Sequence, residues 1–180
     1  MKKIYSYKPC IIFFTGLSAS GKSTLCLTLK NKLKDFRITK VINLDGDVIR
    51  KKFNNFNYKK KFRDKVGDKK IKIALKYKKN NFITLVSGIA HNKRWRKKIK
   101  NSNKDYFEIF VKCPIKICEK RDFKNQYSKA RNGVIKNFVG IHDHYQIGDS
   151  HDLTIDTSRL TVRKSVIKLL NFLIEKKYVF

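Results

Sequence analysis

Three observations predict an α/β protein with a five-stranded parallel sheet covered by helices on both faces. Short apolar runs alternate with longer segments of helical periodicity along the whole sequence. The first run, 10–15, passes directly into Gly16-Leu17-Ser18-Ala19-Ser20-Gly21-Lys22-Ser23-Thr24. With 180 residues, 41% of them hydrophobic, the chain can bury one sizeable core and is expected to form a single domain, 1–180.

The first strand is expected over 10–15, because Cys10-Ile11-Ile12-Phe13-Phe14-Thr15 is short, continuously apolar and rich in Ile and Phe. It leads into a complete G-x-x-x-x-G-K-S/T phosphate loop, which places the chain in the P-loop nucleoside-triphosphate hydrolase-like fold class. Gly16 and Gly21 permit the backbone turn that aims successive N–H groups at phosphate oxygens. A helix over 22–34, with Leu25, Leu29 and Leu33 on its apolar face, adds its partial positive N-terminus. Lys22 supplies a point charge to the terminal phosphates, and the Ser23 hydroxyl a ligand for Mg²⁺.

A second strand, 38–44, ends in Asp45-Gly46-Asp47-Val48-Ile49-Arg50. Two carboxylates and an arginine at the C-terminal end of a parallel strand stand where open α/β sheets hold their ligands. Asp45 and Asp47 suit a hydrated cation or a substrate hydroxyl proton, and Arg50 suits an anion. A loop over 54–58 precedes a helix over 64–79, with Val66, Ile73, Ala74 and Tyr77 turned inward. Phe82-Ile83-Thr84-Leu85-Val86 is the third strand, and a basic helix or turn spans 91–100. The fourth strand runs over 106–113, with Pro114 opening the next helix. Residues 122–137 are polar, basic and long for a connector, so they are expected to form a lid. A short fifth strand over 152–156 and a helix over 158–176 complete the chain. The apolar face of that helix is expected to carry Val166, Ile167, Leu170, Leu173 and Ile174.

Composition narrows the function classes. No apolar run approaches the roughly 20 residues of a membrane span. The basic N-terminus leads straight into the phosphate loop, so cleavage as a signal peptide would remove the site; the cytoplasm is the expected compartment. The cysteines Cys10, Cys26, Cys113 and Cys118 lack zinc-like spacing and read as reduced core thiols. His142 and His144 have no third ligand at suitable spacing. The formal charge of +30 by itself suggests a polyanion partner. Yet the surplus is mostly lysine, spread along the chain with much Asn and Ile, as A- and T-rich coding produces. Nucleic acid is therefore not expected as the partner, although the charge concentrates anionic substrates.

Several segments together resemble one family. Phe14–Thr24, Leu44–Arg50, Glu108–Pro114, Cys118–Asp122, Tyr127–Ile141, Tyr145 and Leu153–Thr157 are similar, in order, to the adenylyl-sulfate kinases. These enzymes transfer the ATP γ-phosphate to the 3′-hydroxyl of adenosine 5′-phosphosulfate, and the resemblance implies that reaction with ATP and Mg²⁺. It implies Lys22, Asp45 and Asp47 as catalytic residues, Asp47 orienting or deprotonating the acceptor hydroxyl. Ser23 and Asp45 are implied at the metal. The nucleotide is implied to lie on Gly16, Ser18, Ala19, Ser20, Gly21, Lys22, Ser23 and Thr24, with Arg121 and Lys129 over it. Arg50 and Arg63 are implied to hold the phosphosulfate, Tyr58 and Phe138 the adenine, and Ile89 and Ala90 the same subsite. A homodimer is implied as well. The departures fall on the acceptor side: Val66 stands for a substrate-contacting asparagine, Gly88-Ile89-Ala90-His91 for F-I-S-P, and Lys124-Asn125-Gln126-Tyr127 for K-G-L-Y. Two alternatives stay open on sequence alone, a kinase of another nucleotide-linked acceptor such as a cytidine diphosphate derivative, and a basic nucleotide- or nucleic-acid-binding protein.

Overall fold

A computed structural model describes residues 5–45, 60–149 and 151–180. Its five strands are β1 (Ile11–Thr15), β2 (Val41–Leu44), β3 (Ile83–Gly88), β4 (Tyr106–Lys112) and β5 (Leu153–Asp156). They form one sheet in the order β2-β3-β1-β4-β5, every pair parallel. The helices are α1 (Lys22–Asp35), α2 (Lys60–Lys79), α3 (Lys93–Asn101), α4 (Ile115–Lys120), α5 (Gln126–Arg131) and α6 (Val162–Glu175).

The central strand β1 explains the layering. Its side chains alternate, so Ile12 and Phe14 join the core under α1 and α6, while Ile11 and Phe13 join the core under α2 and α3. All four are at most 1% exposed, and burying each such side chain contributes about 1.5–3 kcal/mol. A third cluster around Cys118, Tyr127 and Phe138 lies beneath the lid. All four cysteines are buried and unpaired by disulfide, as packing thiols.

Several expectations shift. The second strand starts at Val41 rather than at residue 38, although Ile38 is buried beside it. Helix α2 begins at Lys60, four residues before the sequence reading, and buries Val66, Lys70, Ile71 and Ala74, whereas Ile73 and Tyr77 are half-buried. On α6 the buried face carries Val166, Leu169, Leu170, Phe172 and Leu173; Ile167 and Ile174 are 46% and 44% exposed. One helical position is 100°, so an inward stripe centred on Leu169 and Leu173 turns those two isoleucines to the rim. Within residues 122–137, expected to form a lid, the short helix α5 forms.

The two ends of the described chain pair with each other. Ser6 N–H donates to the Phe180 carbonyl at 2.7 Å and Phe180 N–H to that of Ser6 at 3.0 Å. Nearby, Asp105 accepts from the Tyr178 phenol and pairs with Lys78 at 2.6 Å. The hydrogen bond from Lys78, then that from Tyr178, holds the Asp105 carboxyl below its usual range. A lowered folded-state pKa stabilises above the unfolded value, about 3.9, and that stabilisation disappears as pH falls through the folded value. Asp105→Asn therefore lowers the Tm at pH 7, and the gap to wild type narrows below about pH 4. A gap constant with pH in thermal denaturation would show that the carboxylate charge contributes nothing there.

Candidate active site

The phosphate loop links β1 to α1, and two glycines set its path. Gly16 has φ 147°, and a Cβ there would lie 2.4 Å from the Val111 carbonyl oxygen. Gly21 caps α1 at φ 95°. The loop is fastened from outside by Thr157, whose hydroxyl donates to the Ser20 carbonyl at 2.9 Å. It is fastened from the lid by Tyr127, which donates to the Ser18 carbonyl at 3.0 Å, and by Gln126, which accepts from the Ser18 hydroxyl at 2.9 Å. Asp122, itself buried, accepts from the Tyr127 N–H at 2.8 Å and so pins the start of α5. Lys22 is only 9% exposed; its ammonium lies against the Leu17 carbonyl and 3.4 Å from the Ser20 hydroxyl. Seven residues expected to face a nucleotide are therefore brought together with Lys22: Gly16, Ser18, Ala19, Ser20, Gly21, Ser23 and Thr24 form one continuous loop and helix start.

Asp45 emerges from β2 beside that helix start. Its Oδ2 accepts from the Ser23 hydroxyl at 2.7 Å and from the Ser87 hydroxyl at 3.3 Å. Two hard oxygen donors, one a carboxylate, thus stand together next to the phosphate loop, a donor set that suits Mg²⁺ shared with phosphate oxygens. Asp47, Arg50 and Tyr58 lie outside the described residues.

A cavity of about 800 Å³ opens from this corner toward α2 and the lid. Arg63, Ile89, Ala90 and Phe138, expected to hold the acceptor, are brought together in its lining. Arg63 reaches across to the end of the 122–137 segment and just beyond it, donating to the Asn137 carbonyl at 2.5 Å and pairing with Asp143; His91 lies 3.3 Å away. Its Nε is buried without a hydrogen-bond partner among the described residues. Phe138 is 2% exposed and packs edge-on against Tyr127 at 4.9 Å. Arg121 is on the opposite rim, donating to the Thr157 carbonyl at 3.0 Å. Lys129 is exposed on α5 and is not part of the cavity lining. His142 accepts from the Phe138 N–H at 3.1 Å through Nδ1, a local turn contact. Among the described residues no three potential metal-binding side chains of the His, Cys, Asp and Glu type cluster.

The structure adds two residues to this wall, Lys70 and Trp95, and a support behind it, Arg96. Lys70 lines the cavity although it is buried, and it lies seven residues after Arg63 on the same helix. The helical period, applied to Arg63, Val66 and Gly67, points to it. Trp95 also lines the cavity and packs on Gly67, where a Cβ would sit 2.7 Å from the indole. Its N–H donates to Asp68 at 2.9 Å, so it is a wall residue rather than an exposed base-stacking platform. Arg96, within the basic segment 91–100, is 1% exposed and pairs with Glu108 at 2.7 Å. It donates to the Ala90 and Gln146 carbonyls, both at 2.6 Å, and its guanidinium lies over the Tyr145 ring at 5.1 Å. Tyr145 in turn meets the Thr15 hydroxyl at 2.8 Å, and burial pushes its phenol up to about 12, keeping it protonated at neutral pH.

Comparison with known proteins agrees with this geometry. The family model described as Adenylylsulphate kinase matches residues 8–156. An adenylyl-sulfate kinase of Clostridium kluyveri is 35% identical over 96% of this chain and 87% of its own length. One of Halothermothrix orenii is 34% identical over 96% and 93%, respectively. The solved structure of the Mycobacterium tuberculosis APS kinase in complex with AMPPNP and APS superposes with a TM-score of 0.86. The two share 28% identity over 94% of this chain and 99% of that one. A gluconokinase from Sinorhizobium meliloti, at 15% identity and a TM-score of 0.62, shares the fold alone.

Proposed function

Because the chain belongs to the adenylylsulphate kinase family, we propose that its cavity performs that family's reaction, phosphorylation of adenosine 5′-phosphosulfate by ATP. The observation that carries this reading is the junction of a complete phosphate loop with the Ser23–Asp45 oxygen pair at the mouth of one large cavity. The 3′-hydroxyl oxygen bonds to the γ-phosphorus, the bond from that phosphorus to the bridging oxygen breaks, and ADP leaves. The hydroxyl proton passes to a carboxylate, for which Asp47 is assigned from its place after Asp45 in the sequence.

Such transfer needs positioning and charge neutralisation more than covalent help from the protein. The amides of the phosphate loop and the start of α1 cradle the donor phosphates. Lys22 turns from the Leu17 carbonyl to the phosphates, exchanging one oxygen partner for more strongly charged ones. Ser23 and Asp45 would hold Mg²⁺, which would supply charge neutralisation to the donor phosphates. On the acceptor side Arg63 offers a buried cation, Phe138 an aromatic wall, and Ile89 and Ala90 backbone at the end of β3. Arg121 covers the donor side, and Lys129 approaches only as the lid closes. Arg50 and Tyr58 complete the acceptor subsite by sequence position.

The same reading puts the enzyme in the cytoplasm as a homodimer, and light scattering on the purified chain is expected to give twice the mass of one chain. Among the described residues no helix is long and apolar enough to cross a membrane. Incubation with Mg-ATP and adenosine 5′-phosphosulfate is expected to yield the 3′-phosphorylated product, identified by mass and by release of ADP. Transfer to a cytidine-based acceptor in preference to it would overturn the choice of substrate while leaving the phosphate loop its role.

A further inference from the structure

The charge of Lys70 has no part in the phosphoryl transfer as derived from the phosphate loop, Asp45 and Arg63. It is 5% exposed, yet it lines the cavity on the same wall as Arg63 and Trp95. A buried ammonium is costly unless oxygen atoms replace its water, and here the Ser87 carbonyl accepts from Nζ at 2.8 Å. The ammonium lies beside Gly88 as well, since a Cβ there would be in ordinary contact with Nζ at 3.5 Å. The other side of Ser87 faces the reaction centre. Its hydroxyl donates to Asp45 Oδ2 at 3.3 Å, the same oxygen that accepts from Ser23 at 2.7 Å.

We propose that Lys70 is a positioning residue for the metal-binding oxygens, acting through Ser87. By holding the Ser87 carbonyl it fixes that peptide at the end of β3, and the Ser87 hydroxyl then sets the direction of the Asp45 carboxylate. Partners of metal ligands matter in this way because they set the ligand's orientation before the ion arrives. Lys70 has this task only in a phosphoryl-transfer site, and so its role rests on the proposed function.

The test separates the two. Binding of a non-hydrolysable ATP analogue is titrated calorimetrically at increasing Mg²⁺, a measurement that requires no acceptor. Lys70→Met is expected to raise the Mg²⁺ concentration for half-maximal binding about 10-fold and to lower kcat about 10-fold. The KM for the acceptor stays within about twofold, because no acceptor contact is removed. Ser87→Ala, a milder change at the same relay, is expected to shift the Mg²⁺ dependence in the same direction. The double variant is expected to be no worse than the more impaired single one, since both break one chain of contacts. An unchanged Mg²⁺ dependence in folded Lys70→Met, or penalties that multiply in the double variant, would overturn the assignment. So would a loss confined to the acceptor KM. Failure of the wild-type chain to phosphorylate adenosine 5′-phosphosulfate would instead overturn the substrate, with the analogue titration still deciding the role of Lys70.

Discussion

Lys22→Ala lowers kcat for phosphoryl transfer by at least about 10²-fold, the loss expected when one preorganised charge at the developing transition state is removed. The substitution deletes an ammonium that nothing nearby replaces at the same point of the loop. Arg63 is tied to the Asn137 carbonyl and Asp143, Lys70 to the Ser87 carbonyl, and Arg121 to Thr157. The fold tolerates the change. The loop keeps its external fastenings from Thr157, Gln126 and Tyr127, and the backbone of α1 is untouched. Lys22→Ala is thus expected to retain a cooperative thermal transition and to bind nucleotide weakly. An unchanged kcat would remove Lys22 from the mechanism, and a loss of the transition would make it a structural residue.

Arg96→Met destabilises the protein by about 3–5 kcal/mol, the cost of leaving one member of a buried ion pair without its partner. Arg96 and Glu108 are each 1% exposed, and Glu108 Oε2 is already buried without a hydrogen-bond donor. The substitution strands Glu108 Oε1 as well, together with the Ala90 and Gln146 carbonyls. Urea denaturation measures the loss. The double variant Arg96→Met, Glu108→Leu is expected to recover much of it, because the uncompensated charge is gone. Activity is not expected to recover in parallel. Ala90 is in the cavity wall, and the chain near Gln146 returns from the lid, so both lose a rigid anchor. Equal stability of Arg96→Met and the wild type would show that the pair is dispensable to the fold.

The elements that were legible in the sequence are those with strong local signatures. The phosphate loop was legible because its glycines, lysine and serine must stand at fixed offsets for the backbone to reach phosphates. The strands were legible because a parallel sheet buried on both faces requires continuous apolar runs, as in Ile11–Phe14. Asp45 was legible from its place at a strand end beside that loop. The start of α2 was not, because its first turn lacks both an acidic residue and a strong apolar period. The rim of α6 was misread because five apolar residues fit two adjacent faces, and only packing against the sheet chooses between them.

By itself, then, the sequence determined the class of fold, the donor-phosphate site and the chemistry it serves, since each depends on residues close together in the chain. Tertiary structure decided the rest. It turned Arg96 from a surface charge into the buried partner of Glu108, twelve positions away. It seated Trp95 on Gly67 and brought Lys70 to Ser87, and so to Asp45, from a different element. A charged side chain has the same identity in the sequence whether water or a buried oxygen surrounds it. Only the packing of α2 and α3 on the sheet removes the water, and that desolvation turns three basic or aromatic residues into walls and supports of the site.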